Sequence, residues 1–251
     1  MIKDMKKSLK TRAMNEISHG RFLAESDTEK IWGWDTPAGL HRAARRADLI
    51  LKASGVCQGM KVLEVGCGTG LFTELFSKTG CHILAVDISP ELLSKAKKRN
   101  IPPESVTFLQ MPFEETSAMG PFDAVIGSSI LHHLDVDAAL KKIYSLLGPG
   151  GKIAFAEPNM LNPQVYLERR FSHWRIFSYT SPDETAFFRW RISNAFRNVG
   201  FTNVRAVPFD WLHPSTPGLL IPLIKKIGRA FECLPLVCEF SGSLIISATK
   251  P

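Results

Sequence analysis

Apolar and polar positions follow two rhythms along this chain. Short runs rich in branched and aromatic residues, bounded by glycine, proline or acids, fall near 61–65, 82–86, 105–109, 123–127 and 151–157. Runs of this length and setting read as buried strands. Between them, apolar residues three or four positions apart predict helices near 70–79, 90–98 and 136–147. Ser89-Pro90-Glu91 supplies the second of these with an N-cap, a first-turn proline and an acid that complements the helix dipole. Asp135 caps the third in the same way. A further helix is predicted over 38–54, with a rough apolar face of Leu40, Ala44, Leu49 and Leu51 and arginines opposite. Ser181-Pro182-Asp183-Glu184 reads as a capping box opening a helix to Val199, stopped by Gly200 and buried along Phe188, Ile192, Phe196 and Val199. Two last strands, near 202–208 and 243–249, close the series. Strands alternating with helices predict an α/β fold.

The length of 251 residues suits one domain over 1–251. Three segments exceed what the alternating core needs: an N-terminal cap region over 1–54, and insertions over 159–180 and 209–240. They are the candidates for a cap over a substrate.

The densest signal is Val62-Leu63-Glu64-Val65-Gly66-Cys67-Gly68-Thr69-Gly70. A buried strand ends in an acid, and three glycines follow on alternate positions before a helix begins. Glycines in such a turn let backbone approach a ligand closely. The dinucleotide fingerprint is G-x-G-x-x-G, whereas here the glycines stand at 66, 68 and 70 and Leu71 takes the last glycine's place. An acid before the turn would repel a pyrophosphate and could hold an ammonium group.

This E-x-G-x-G-x-G turn resembles the first motif of class I S-adenosylmethionine-dependent methyltransferases. Val86-Asp87-Ile88-Ser89 ends the second strand as that family's second motif does. Phe122 to Leu134 resembles its fourth strand and following loop, and Leu147-Gly148-Pro149-Gly150-Gly151 the turn into its fifth. The resemblance covers roughly residues 30 to 205. It implies a Rossmann-like, doubly wound seven-stranded sheet in the order 3-2-1-4-5-7-6, with the last strand antiparallel and helical cap insertions added. It implies S-adenosylmethionine as cofactor and S-adenosylhomocysteine as product. It also implies cofactor contacts from Glu64 near the ammonium group, the backbone of Gly66, Cys67, Gly68 and Gly70, Asp87 on the ribose hydroxyls, and Ile88 beside the adenine. Met111 and Pro112 fall at the adenine edge, where many relatives carry an aspartate; Gln110 or Glu114 is the available substitute. Ser128, with Ser129, falls beside the methionine end.

Methyl transfer from a sulfonium needs alignment above all. A base helps when the acceptor is a hydroxyl or an acidic carbon. His133, Glu157 and His132 are the candidates, since both segments end strands at the edge where open α/β sheets bind ligands. Trp34, Tyr166, Arg170, His173 and Tyr179 are candidate acceptor contacts, and Trp32 with Trp34 reads either as an aromatic lid or as an anchor for the following helix. No C-x-x-C pairing occurs among the five cysteines and no D…D-N cluster is visible, so no metal site is expected. Reduced thiols, and an N-terminus without the apolar core of a secretory signal, point to a cytoplasmic protein.

A formal charge of +7 admits solubility alone, nucleic acid, anionic membrane or acidic substrates as its reason. The fourth strand is followed by Ser128-Ser129-Ile130-Leu131, not the N/D-P-P-Y/F form used on nucleic-acid amines, so a nucleic-acid substrate is not expected. Within 217–234, Leu220, Leu223, Ile224, Ile227 and Phe231 recur at helical spacing beside Lys225, Lys226 and Arg229. We read this first as a cap helix packed on the sheet with a solvated basic edge. Peripheral contact with the inner face of an anionic membrane is the second reading. The expected activity is methyl transfer to a small-molecule or lipid-like acceptor. RNA- or protein-directed transfer and a non-catalytic cofactor-binding protein are the alternatives, and the oligomeric state is left open.

Overall fold

The computed structural model describes residues 14–116, 119–171 and 185–251, apart from Glu16, His19, Ala24 and Ser26. Its helices are α1 (Thr28–Ile31), α2 (Pro37–Ser54), α3 (Leu71–Ser77), α4 (Pro90–Ala96), α5 (Val136–Leu146), α6 (Pro163–Arg170), α7 (Arg189–Val199) and α8 (Ile221–Cys233). The strands are β1 (Lys61–Val65), β2 (His82–Asp87), β3 (Val106–Gln110), β4 (Phe122–Ser128), β5 (Leu147–Pro158), β6 (Thr202–Phe209) and β7 (Ser243–Thr249). They form one sheet in the order β3-β2-β1-β4-β5-β7-β6. β1 to β5 run parallel, and β7 lies antiparallel between β5 and β6. The expected topology is therefore the observed one.

Each central strand is buried on both faces because helices cover both. Val62, Ala124, Ile126 and Ala154 face the layer that contains Ala47 and Ile50 of α2 and Phe76 of α3. Leu63, Val65, Val125 and Phe155 face the layer built from α5 and α7 through Leu140, Ile143, Ile192 and Phe196. Phe76, Phe155 and Phe196 have no exposed surface. Burial of a side chain of this size is worth about 1.5–3 kcal/mol.

Two elements differ from the sequence reading. The inward face of α2 is Ala43, Arg46, Ala47 and Ile50, while Leu40 and Ala44 face outward. Small alanines let the helix lie close to β4 and β5, and Arg46 is carried inward with them. Thr36 caps this helix through Gly39 N–H at 2.9 Å, and Gly55 ends it in the left-handed region. The second difference is α7, which begins at Arg189, just after Phe187 bridges to Asn159. Phe187 N–H donates to Pro158 O at 3.0 Å, and Phe187 O accepts from Met160 N–H at 3.0 Å. The predicted capping box at 181–184 lies outside the described residues, and Phe188 is the N-cap of the helix instead.

Candidate active site

The sheet order reverses between β1 and β4, and ligands in open α/β sheets bind beyond the strand ends at such a point. A cavity of about 750 Å³ opens there. The turn after β1 forms one wall. Gly66 has φ +67°, and a Cβ on it would lie 2.4 Å from the Ile130 side chain, so no larger residue fits. Gly68 has φ +53°, and a Cβ on it would lie 3.6 Å from the Trp32 ring, which lines the cavity beside it. The Gly68 N–H donates to Asp87 Oδ2 at 2.7 Å, while Asp87 Oδ1 accepts from Ser89 N–H at 2.8 Å. These bonds fix the Asp87 carboxylate at the cavity wall. Ile88, Met111 and Pro112 continue the wall.

Arg46 supplies a cation that the sequence reading noted only among the arginines opposite the apolar face of 38–54. It is 4% exposed yet lines the cavity. Its guanidinium donates to Ser129 Oγ at 2.8 Å, Ser243 Oγ at 2.6 Å and Ser128 Oγ at 3.4 Å. It stands 5.4 Å from the Trp34 ring centroid and 5.7 Å from that of Phe209. All three hydrogen-bond partners are neutral. Burial, with the charge of Arg42, lowers its pKa to about 10, so it stays charged at neutral pH. A buried guanidinium held by hydroxyls alone suits an anionic ligand group. No local motif announces it: its partners are 82, 83 and 197 residues away in the chain.

Along the same loop after β4, His132 Nδ1 lies 2.6 Å from Glu157 Oε2. Glu157 Oε1 accepts from the backbone N–H groups of Ile130 and Leu131 at 3.0 and 2.9 Å. Burial opposes ionisation of Glu157. The charge and hydrogen bond of His132 and the two amides outweigh it and hold the carboxyl below its ordinary range. The His132 ring stacks obliquely on that of His133, with centroids 4.3 Å apart, and both residues line the cavity.

The other predicted residues divide. Gly66, Cys67, Gly68, Asp87, Ile88, Met111, Pro112, Ser128, Trp34, His132 and His133 line the cavity. Glu157 is fully buried behind His132 and lies off the lining, so its reach to the cavity is through that ring. Glu64 is also off the lining: burial, helped by the nearby Asp87 charge, raises its pKa to about 8. Gly70 caps α3 rather than facing the cavity. Tyr166 and Arg170 project away on α6, whose cavity side is Gln164, Val165, Glu168 and Arg169. The phase of a helix decides this, and the sequence alone left it open. His173 and Tyr179 lie outside the described residues. At the adenine-edge position it is Glu114, not Gln110, that reaches the lining.

Two cap segments meet over the cavity. Thr36 Oγ1 donates to Pro214 O at 2.8 Å, and Gly33, at φ +68°, packs on the Pro214 ring. Arg99 ties α1 to the glycine turn: it donates to Thr69 O at 2.7 Å and pairs with both Glu74 and Glu29. Trp34 meets Phe72 edge-on at 5.5 Å, so it anchors the cap and walls the cavity at once.

A family model described as a methyltransferase domain matches residues 39–206. The chain belongs to this family. By fold it is a class I methyltransferase, and the cofactor of that class is S-adenosylmethionine. This methyltransferase is 31% identical over 126 residues to the ubiquinone biosynthesis O-methyltransferase of Aeromonas salmonicida, covering 49% of this chain and 52% of that one. It is 31% identical over 158 residues to the protein of the same name from Alkalilimnicola ehrlichii, covering 59% and 63%. The chain thus spans about half to two thirds of the curated relatives it matches. Among solved structures, the N-methyltransferase NodS from Bradyrhizobium japonicum, in complex with S-adenosylhomocysteine, superposes with a TM-score of 0.64 at 16% identity, covering 94% of this chain and 99% of that one. The Haloferax volcanii methyltransferase solved with its Trm112 activator gives 0.66 at 19% identity, covering 92% and 97%. At these identities the structural matches speak to the fold. The site residues of this methyltransferase fit the cofactor: a carboxylate fixed at the end of β2, a cradle at Gly68, and a buried cation with only neutral partners.

Proposed function

We propose that this methyltransferase moves the methyl group of S-adenosylmethionine to a hydroxyl of a small, lipid-like acceptor, with His132 as general base. The observation that carries this reading is the His132–Glu157 pair at the cavity wall. A built base is of use only where the acceptor has a proton to lose in the transition state. The matched relatives named for ubiquinone O-methylation support the same acceptor chemistry.

When bound, the cofactor supplies a methyl group already activated on sulfonium. Arg46, with Ser128 and Ser129, would hold the methionine carboxylate, and Asp87 would accept from the ribose hydroxyls. Ile88, Met111 and Pro112 would flank the adenine, and Glu114 would accept at its amine edge. Glu157, an anion at neutral pH, takes the Nδ1 proton of His132 as a hydrogen bond and leaves Nε2 as the basic nitrogen. His132 would take the acceptor's hydroxyl proton as the C–O bond formed and the sulfonium C–S bond broke, the electron pair of that bond staying on sulfur. Trp32, Trp34 and Pro214 close the site against water, and the α6 side, through Gln164, Val165, Glu168 and Arg169, contacts the acceptor.

Incubation with methyl-labelled cofactor and a cell extract, followed by solvent partition, tests this. Label is expected in the organic phase as a methyl ether, reduced about 10²–10⁴-fold in kcat for His132→Ala. Label in RNA or protein, or equal turnover by the variant, overturns the reading.

A further inference from the structure

The apolar stripe of α8 divides: Ile224 packs inward, as the cap-helix reading expects, and its other members are exposed. Ile221, Ile224 and Gly228 form its inward side. Leu220, Leu223, Ile227 and Phe231 run down the outer side, 46%, 53%, 38% and 37% exposed. Leu219 and Leu236, at 96% and 78%, bracket the helix. Single exposed apolar residues are ordinary, but a contiguous run marks a surface that something covers.

The helix is held firmly in this orientation. Glu232 accepts from both terminal nitrogens of Arg45, at 2.8 and 2.5 Å, and from the Asp210 N–H at 2.9 Å. Gly228 lets the helix backbone press on Trp211, where a Cβ would lie 2.9 Å from that residue's own Cβ.

Charge selects the occupant. Lys226 and Arg229 are exposed on α8, and Lys225 reaches His41 at 3.4 Å. The only acids within 217–240 are Glu232 and Glu239, and each is held by an arginine, Arg45 and Arg189. The surface is therefore apolar and basic with no free acid of its own. A second copy docked by twofold symmetry would set like charges against one another. An anionic bilayer satisfies both properties.

We propose that α8 docks on a bilayer containing anionic phospholipid, with its leucine and isoleucine stripe at the headgroup–acyl boundary and Lys226 and Arg229 against phosphates. Trp211 links this face to the cavity: its ring lies 5.3 Å from Phe231, and it lines the wall beside Leu212 and Pro214. Docking so placed brings a lipid-like acceptor next to the cavity. That consequence rests on the proposed function; the docking itself does not.

Sedimentation of the full chain with vesicles of equal phosphatidylglycerol and phosphatidylcholine tests it, with phosphatidylcholine alone as the neutral comparison. The protein is expected to pellet with the anionic vesicles, less so as salt rises. The paired change Leu223→Ser and Ile227→Ser is expected to weaken binding at least about tenfold. Lys226→Glu with Arg229→Glu is expected to weaken it roughly fivefold for each charge lost. All four positions are exposed, and unchanged thermal unfolding confirms that the variants fold. Failure of the unaltered protein to pellet overturns the proposal, as does pelleting that neither variant weakens. A solution dimer that the serine variant splits, with no vesicle binding, overturns it in favour of a second copy. Binding is read without turnover, so a failed transfer assay and a failed docking are separate results.

Discussion

Glu64 and Glu157 are both buried glutamates near the ends of parallel strands, on either side of β4, yet their protonation is driven in opposite directions. Glu64 is 2% exposed, its Oε2 has no hydrogen-bond partner, and its pKa rises to about 8. Glu157 has no exposed surface at all, and its pKa falls. Burial disfavours the charged form of each. The difference lies in what meets the carboxylate. Glu157 has two amide donors and an imidazole, whereas Glu64 has burial and the like charge of Asp87 with only the Thr73 hydroxyl to offset them. Depth in a protein does not set the charge of an acid; the donors at that depth do. The consequence here is a division of labour. The β5 acid is an anion that holds the His132 ring, and the β1 acid is a neutral group beneath the glycine turn at mildly acid pH.

The strongest way to break the comparison is to remove the anion on β5. Glu157→Leu leaves the Ile130 and Leu131 amides and the His132 ring without their acceptor in the interior. Breaking one partner of a buried pair costs about 3–5 kcal/mol, and chemical denaturation should show a loss of that order. Glu157→Gln keeps an acceptor for the amides but cannot hold His132 as an ionic partner. Its fold should survive, while kcat falls with little change in KM. It should also shift the acidic limb of the rate–pH profile, a change that a purely structural residue would not produce.

Arg46 is an intermediate case, a buried charge with several hydrogen bonds and no opposite charge among its hydrogen-bond partners. If its counterion is the cofactor's carboxylate, Arg46→Met should weaken cofactor binding by the worth of a charged hydrogen bond, about 1.5–3 kcal/mol or roughly ten- to a hundredfold in Kd. Calorimetric titration with S-adenosylhomocysteine measures it. Because Met matches the stem and removes a buried charge, the apo protein should lose little stability. Unchanged affinity would assign Arg46 to the scaffold.

The sheet and its glycine turn were legible in the sequence because their signals are local: Val62 to Gly70 lie within nine residues, and Asp87 closes the next strand. The parts that were not legible depend on what the sheet order brings together. Arg46 meets Ser128 and Ser243 only after β4, β5 and β7 are assembled, so nothing near residue 46 in the chain marks it. Glu157 could be read as a strand-end acid but not as one turned back under His132. On α8 the spacing identified a helix correctly, while α6 was read only as part of an insertion, and in neither case could the sequence say which side the fold would take. Tyr166 and the stripe through Leu223 and Ile227 both ended on the outer side.

The finest test of the comparison is Glu64→Gln, and its sign follows from linkage. A carboxyl whose pKa rises from 4.5 to about 8 on folding binds its proton more tightly in the folded state. Between those two values the folded protein carries a proton that the unfolded chain has released, so stability contributed by the neutral acid declines as pH rises. It is fully present below about 4.5 and spent by about 8. Glutamine keeps the shape and cannot ionise. The difference in unfolding temperature between Glu64→Gln and the unaltered protein should therefore grow in the variant's favour as pH is raised from 5 to 8.5, reaching a few degrees for a chain of this length. The same scan on Glu157→Gln should give a flat difference, since a carboxyl held below 4.5 is ionised in the folded and unfolded states alike above pH 5, and its stability is lost only as pH falls below about 4.5 toward the folded value. Parallel curves for the two variants would mean that burial alone governs both acids, and the β5 donors would then have no special part in holding the anion.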